Sequence, residues 1–176
     1  MSSNISDFRQ QFLSKDLQIA NRYKINIYPG MDLNLPIVKD LYAESVILPG
    51  RNLEFNIDEI WGPIRKIPSA RTYEYEAVMT IPLQGKWGIY KYFNDWMNKL
   101  VFKKDDRFFA RPAYEGTISD SVVKLIPKKV DDETATIITL REAYPINIMP
   151  IEMGQNLQNI YSSVMVLFAF REYETD

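Results

Sequence analysis

The 176-residue chain contains no cysteine and no histidine. Without them the usual zinc, haem and iron-sulfur ligand sets cannot be assembled, and a Ser-His-Asp or Cys-His relay is impossible. Neither GxGxxG nor GxxxxGK[ST] occurs, so the best signal for nucleotide binding is missing. No run approaches the roughly 20 apolar residues of a membrane span, and MSSNISDFRQQF lacks the basic-then-apolar layout of a signal peptide. The expectation is a chain made and kept in a cytoplasm, in line with its lack of cysteine. The Asn4-Ile5-Ser6 sequon is then a chance match. Positive charge is not in excess either: the formal net charge is −2. General attraction to phosphates by counterion release is therefore disfavoured.

The motifs that remain read as structure. Ser121-Val122-Val123-Lys124 fits S-x-x-K, but that pattern needs a helix, whereas TISDSVVKLI reads as a strand on which positions three apart face opposite sides. Asp105-Asp106 and Asp131-Asp132-Glu133 lack the alternating acids and glycine of a calcium loop. With the neighbouring Lys103-Lys104 and Lys128-Lys129 they read as solvated turns. The sequence thus predicts no enzyme, no cofactor and no metal.

What the sequence does hold is aromatic and period-two patterning. Ile5, Phe8 and Phe12 recur at helical spacing after a cap at Ser3, predicting a short N-terminal helix. ANRYKINIY alternates as a half-buried strand ended by Pro29-Gly30. MDLNLPIVKD has no clear period, LYAESVILPG reads as a strand stopped by Pro49-Gly50, and a short strand NLEFNI follows. Residues Trp61–Arg71, with Ile60 just before them, combine Gly62, Pro63 and Pro68 with Trp61, Ile64 and Ile67. Prolines lack a ladder donor, so this stretch is expected to project as an arm or long hairpin, free either to fold back on its own domain or to dock on another subunit.

From Arg71 a strand places Tyr73, Tyr75, Ala77, Met79 and Ile81 on one face and closes at Pro82. Ile89, Phe93, Trp96 and Leu100 then step by four, three and four, an apolar helical stripe covering a sheet. FKKDDRFFARPA reads as a loop, and TISDSVVKLI with TATIITLRE as a hairpin charged at its tip. AYPINIMPIEMGQNLQNIYS connects, with local extended pieces, to a final strand whose apolar run, Val164 to Phe170 with Phe168 inside it, implies cover on both faces and a central position. The sum is a mainly β fold over residues 1–176, a single domain built as an antiparallel sandwich or barrel with one packed central helix, a short N-terminal helix and an arm at 57–71.

This order of elements resembles the tail-tube proteins of contractile-tailed bacteriophages from about Phe8 to Tyr173. The words that carry the resemblance are Ile64-Arg65-Lys66-Ile67 leading to Arg71-Thr72-Tyr73-Glu74, then Phe93-Asn94-Asp95-Trp96, then Ala143-Tyr144-Pro145. Ser69-Ala70 departs from the glycine often found in the turn before the Arg-Thr-aromatic strand. Baseplate tube initiators and the ring proteins of type VI secretion share the architecture.

The resemblance implies a structural virion protein, found in the tail and assembled in the bacterial cytoplasm. Its copies would close into six-membered rings that stack as a hollow conduit, with sheath and baseplate proteins as partners and DNA passing through without specific binding or membrane contact. Carried onto this chain, Ile60, Trp61, Ile64, Arg65, Lys66, Ile67 and Arg71 would reach a neighbouring ring, and the helix of Phe8 and Phe12 would support a subunit contact. Ile89, Phe93, Trp96, Leu100, Phe168 and Phe170 are assigned to the core. Lumen-facing positions are expected to be polar or acidic, since a basic wall would grip DNA. The competing readings are a ring that initiates or terminates the tube, a monomeric ligand-binding barrel with aromatic residues lining its pocket and the arm as its lid, and a hydrolase using Ser121 and Lys124.

Overall fold

The computed structural model describes residues 22–58, 62, 64–104, 107–110, 114–128, 134–151, 153 and 161–176. Phe8 and Phe12 with the expected N-terminal helix, Ile60, Trp61, Asp105-Asp106 and Asp131–Glu133 lie outside the described residues. Two antiparallel sheets enclose the core. One has five strands in the order β13-β10-β9-β1-β2, formed by β1 (Tyr23–Tyr28), β2 (Val38–Leu41), β9 (Val122–Pro127), β10 (Ile138–Arg141) and β13 (Glu172–Thr175). The other has four in the order β11-β12-β6-β3, formed by β3 (Ser45–Ile47), β6 (Glu76–Pro82), β11 (Tyr144–Ile148) and β12 (Ser163–Ala169). Two hairpins stand apart as two-stranded sheets: β4 (Arg51–Asp58) with β5 (Arg65–Tyr73), and β7 (Val101–Lys104) with β8 (Arg107–Ala110).

Period-two alternation builds the core from both sides. Ile25 lies opposite Leu125, and Ile27 opposite Val123, while Leu125 and Val123 face Ile138 and Leu140 of β10. Across the gap, Val46 meets Met79 and Met79 meets Val166, while Ala77 meets Phe168 and Ile81 meets Val164. The helix α1 (Gly88–Leu100) closes the space with Tyr92, Phe93 and Trp96, all buried. Phe93 and Trp96 set their rings edge-on to Phe168, with centroids 5.6 and 6.3 Å away. Such contacts contribute roughly 0.5–1.5 kcal/mol beyond area burial. Ile89 and Leu100 are partly buried at the margin of this cluster, and Phe170 is buried within it. The aromatic rings thus fill one another's space instead of lining a ligand cavity.

Polar bonds fix the helix in place. Tyr92 donates its hydroxyl to the Pro36 carbonyl at 3.0 Å. Lys99, in the last turn, donates to the carbonyls of Leu33 and Asn34 at 2.5 and 3.0 Å. These carbonyls lie at the C-terminal end of the 3-10 turn Met31–Leu33, whose Leu33 is buried. The turn itself is clasped by the loop before β9. Asp32 donates its N–H to the Gly116 carbonyl at 2.9 Å. A Cβ on Gly30 would stand 2.1 Å from the Thr117 carbonyl oxygen, so only glycine admits this approach.

Several expectations are corrected. The patternless segment MDLNLPIVKD supplies β2, and LYAESVILPG is not one strand: Leu41 ends β2 and Ser45–Ile47 joins the opposite sheet. The strand expected from Arg71 to Pro82 breaks at Glu74-Tyr75, where the chain leaves the β4–β5 hairpin for the four-stranded sheet; Tyr75 is exposed while Ala77, Met79 and Ile81 are buried. No turn forms at Ser69-Ala70. Both lie within β5, and the register passes from Glu54 opposite Ala70 to Phe55 opposite Pro68, leaving Ser69 as an extra residue.

FKKDDRFFARPA, read as a loop, holds β7 and β8. The connector beginning at Ala143 holds β11, one of the local extended pieces expected of it, as an end strand that tolerates Pro145 because its outer side needs no ladder donor. β12 is internal, as its apolar run implies, but it alternates instead of being covered on both faces: Val164, Val166 and Phe168 are buried and Met165 is exposed. It is also not the final strand, since β13 crosses to the five-stranded sheet.

Candidate assembly surface

The β4–β5 hairpin is a ribbon of eight and nine residues whose side chains stand mostly in solvent. Along β4, Leu53, Phe55 and Ile57 alternate with Asn52, Glu54 and Asn56, so the apolar residues share one face. Register brings Arg71, Pro68 and Lys66 beside them on that face. The Lys66 ammonium lies 4.5 Å from the centroid of the Phe55 ring. The result is an apolar face edged with cations, exposed at Leu53 (65%), Ile57 (56%) and, just before β5, Ile64 (68%). The opposite face carries Glu54, Asn56 and Ile67 (50% exposed), with Arg65 opposite Asp58. An amphipathic ribbon without a core of its own is marginal alone, so a partner for its apolar face is expected on physical grounds.

At the ribbon's root, Arg51 donates to the carbonyl of Tyr173 at 2.5 Å and stacks over that residue's ring, 4.1 Å from its centroid. This ties the hairpin to β13, an end strand of the five-stranded sheet. The other end strands are β2, β3 and β11. End strands present backbone donors and acceptors on one side and are templates for pairing with another chain.

The outer faces of the two sheets differ in character. On the five-stranded sheet, Lys24, Lys124 and Arg141 are set among Asp40, Glu172 and Glu174; Lys24 pairs with Asp40 at 2.9 Å and Arg141 with Glu174 at 2.7 Å. The bond from Glu174 and its charge raise the Arg141 guanidinium above its ordinary pKa. On the four-stranded sheet, Ser45, Thr80 and Met165 form one row and Ile47, Val78 and Leu167 the next, without a charge. Of these, Ile47 and Met165 are exposed. At the rim, Tyr161 is pushed above its usual pKa by a hydrogen bond to Glu44.

The sequence-derived residues divide accordingly. Ile64, Arg65, Lys66, Ile67 and Arg71 come together on the ribbon, whereas Ile60 and Trp61 fall outside the described residues. The arm expected from the sequence begins at Ile57; Leu53 and Phe55, expected only as part of the separate short strand NLEFNI, and Arg51 before it belong to the same ribbon. Ser121 and Lys124 are not brought together. The Ser121 hydroxyl is buried and donates to the Ile118 carbonyl at 2.6 Å, while Lys124 extends on the outer face toward the Tyr28 ring. A cleft of about 510 Å³ between Leu41, Tyr42, Pro82 and the start of α1 is open to solvent and gathers no convergent charges. Among the described residues, no cluster of acids is arranged to hold a metal ion.

Among the described residues, an exposed apolar ribbon, the end strands of two sheets and a packed aromatic core make up an antiparallel β architecture with surface suited to association. Comparison with known proteins gives the class. The family model described as phage tail tube protein matches residues 11–176. The chain belongs to the phage tail tube protein family, and its role is structural.

Among solved structures, it is similar to a chain of the anti-feeding prophage baseplate, with TM-score 0.66 and 10% identity over 92% of this chain and 97% of that one. A chain of the extended sheath-tube complex of an extracellular contractile injection system aligns with TM-score 0.58 and 11% identity, over 95% and 96%. A chain of the anti-feeding prophage cap aligns with TM-score 0.56 and 10% identity, over 100% and 99%. At these identities the likeness establishes the fold. No curated protein matches.

Proposed function

We propose that this chain is the repeating subunit of a tail tube: copies join end strand to end strand into six-membered rings, and rings stack into a hollow conduit for phage DNA. The observation that carries the proposal is the β4–β5 ribbon, whose apolar face of Leu53, Phe55, Ile57 and Ile64 is exposed beside Lys66 and Arg71. In a stack this face is covered by the neighbouring ring. The end strands of both sheets supply the lateral contacts, because pairing with a copy satisfies backbone groups that a monomer leaves to water. Sheath and baseplate proteins are the expected outer and terminal partners, the assembly site is the host cytoplasm, and the subunit performs no catalysis. Residues 1–176 form one domain in this proposal, with the arm at 57–71 extended by the rest of β4. The paired charges outside the five-stranded sheet and the uncharged rows outside the four-stranded sheet both fit a wall that does not grip nucleic acid.

A second reading is a ring of the same fold that starts or ends the tube. It is favoured by the similarity to baseplate and cap chains as well as to the sheath-tube complex. Negative-stain imaging of the purified protein over a concentration series distinguishes these outcomes. Stacked rings or tubes are expected for the subunit, and rings that never stack for an initiator or terminator. Single particles at every concentration would overturn both.

A further inference from the structure

We infer that Arg51 is a latch joining the stacking ribbon to the lateral edge of the subunit, so that one contact controls two kinds of association. This rests on the proposed ring assembly and adds a regulatory contact to it. The inference comes from the direction of the bonded carbonyl. In β13, the Asp176 N–H donates inward to the Ile137 carbonyl, and Glu174 and Glu172 stand opposite Thr139 and Arg141. Antiparallel ladders alternate, so when residues 172, 174 and 176 turn their backbone groups toward β10, residue 173 turns its groups to the free side. The acceptor held by Arg51 at 2.5 Å is thus an edge-facing carbonyl. A strand pairing there must approach through the lane that the guanidinium occupies, while the Tyr173 ring beneath, 4.1 Å from it, holds the guanidinium in place.

The same residue is the first of β4, so its side chain also sets how the ribbon leaves the body. Held, the ribbon has one orientation and the β13 edge is guarded. Released, the edge opens and the ribbon swings. Edge guarding by a charged side chain is a known means of holding unpaired strands apart. Here the guard belongs to the element that reaches the next ring, so a second copy seated on the ribbon would draw Arg51 from Tyr173 and license pairing at β13. Stacking and ring closure are then coupled.

The variants are Arg51→Ala, which removes the latch, and Arg51→Lys, which keeps the charge but loses the fork and most of the stacking. Lateral association is read by sedimentation and stacking by negative-stain imaging. Arg51→Ala should form laterally joined oligomers at about 3- to 10-fold lower concentration than the parent chain. Stacks should likewise appear at lower concentration, since no latch has to be broken to seat the next copy, with Arg51→Lys between the two. Loss of both kinds of association, or no change in either, would overturn the latch.

A second measurement reads the latch without assembly. The chain has no cysteine, so Ile64→Cys with Ser45→Cys gives two clean labelling sites. Spin-label distances in dilute monomer should be narrow with Arg51 and broad with Arg51→Ala. Equal widths would overturn the latch alone. A parent chain that never associates would overturn the ring proposal and its coupling to the latch, even where the widths differ.

Discussion

Tyr92 shows how one side chain can tie the helix to the segment before β2 and also set a pH limit. Burial pushes its phenol well above the ordinary value of 10.0, because the charged form has lost its water. The unfolded chain releases this proton near the ordinary value while the folded chain keeps it. Stability from this group is therefore full below pH 10.0 and falls as pH rises above it. Tyr92→Phe should lose about 1 kcal/mol at neutral pH through the missing bond to Pro36, and should flatten the alkaline decline. Urea melts between pH 7 and 11 check both; an unchanged alkaline slope would count against the assignment. Trp96 is fully buried against Phe168 and Tyr92, so Trp96→Ala should cost about 3–5 kcal/mol in the same melts.

Among the elements, the clasp between the Met31–Leu33 turn and the loop before β9 depends on close backbone approach. Gly30→Ala must separate two main chains and should cost more than about 2 kcal/mol. Gly85→Ala, whose added methyl meets nothing within 4 Å, should stay within about 0.5 kcal/mol. Thermal melts of the pair test whether approach, and not glycine as such, is responsible.

For the ribbon, Ile57→Asp with Ile64→Asp should leave monomer stability within about 0.5 kcal/mol, since both side chains are exposed, yet abolish stacking in negative-stain images. Stacks that survive the double substitution would place the axial contact elsewhere.

These elements also show what the sequence made readable. The stripe Ile89, Phe93, Trp96 and Leu100 announced its helix because a 3.6-residue period is local, and β1 and β9 did so through strict alternation. The split at Glu74-Tyr75 was hidden, because Tyr73 and Tyr75 continue the pattern of Ala77 and Met79 while the chain changes sheets. β2 was hidden for another reason: Ile25 pairs with Leu41 but Ile27 with Val38, so an irregular register erases the period. β7 and β8 were obscured by charges that read as a loop. Of the candidate surface, the proline-marked half was legible from composition. The role of Arg51 was not, because its partner Tyr173 is 122 positions away.

For the whole molecule, the balance between monomer and assembly is expected to be close. A contact burying roughly 1,600 Å² in total, half of it apolar, gains on the order of 20 kcal/mol gross at about 25 cal/mol/Å². Against this stand about 4–15 kcal/mol for lost rigid-body freedom and roughly 0.5–1.5 kcal/mol for each ordered side chain. One contact is then marginal, and several closing together hold. Sedimentation should accordingly show monomer and closed rings with few species between them; a ladder of dimers and trimers would speak against closure.

The ribbon has a mechanical consequence. Nine residues of β5 at about 3.3 Å each make a lever roughly 30 Å long, with its pivot at the root, where Arg51 opposite Tyr73 opens the ribbon. A tilt of about 10° at that pivot carries the tip roughly 5 Å by simple geometry. Helical pitch and twist in any stack of these subunits would thus be governed at the hinge, far from the surfaces that touch.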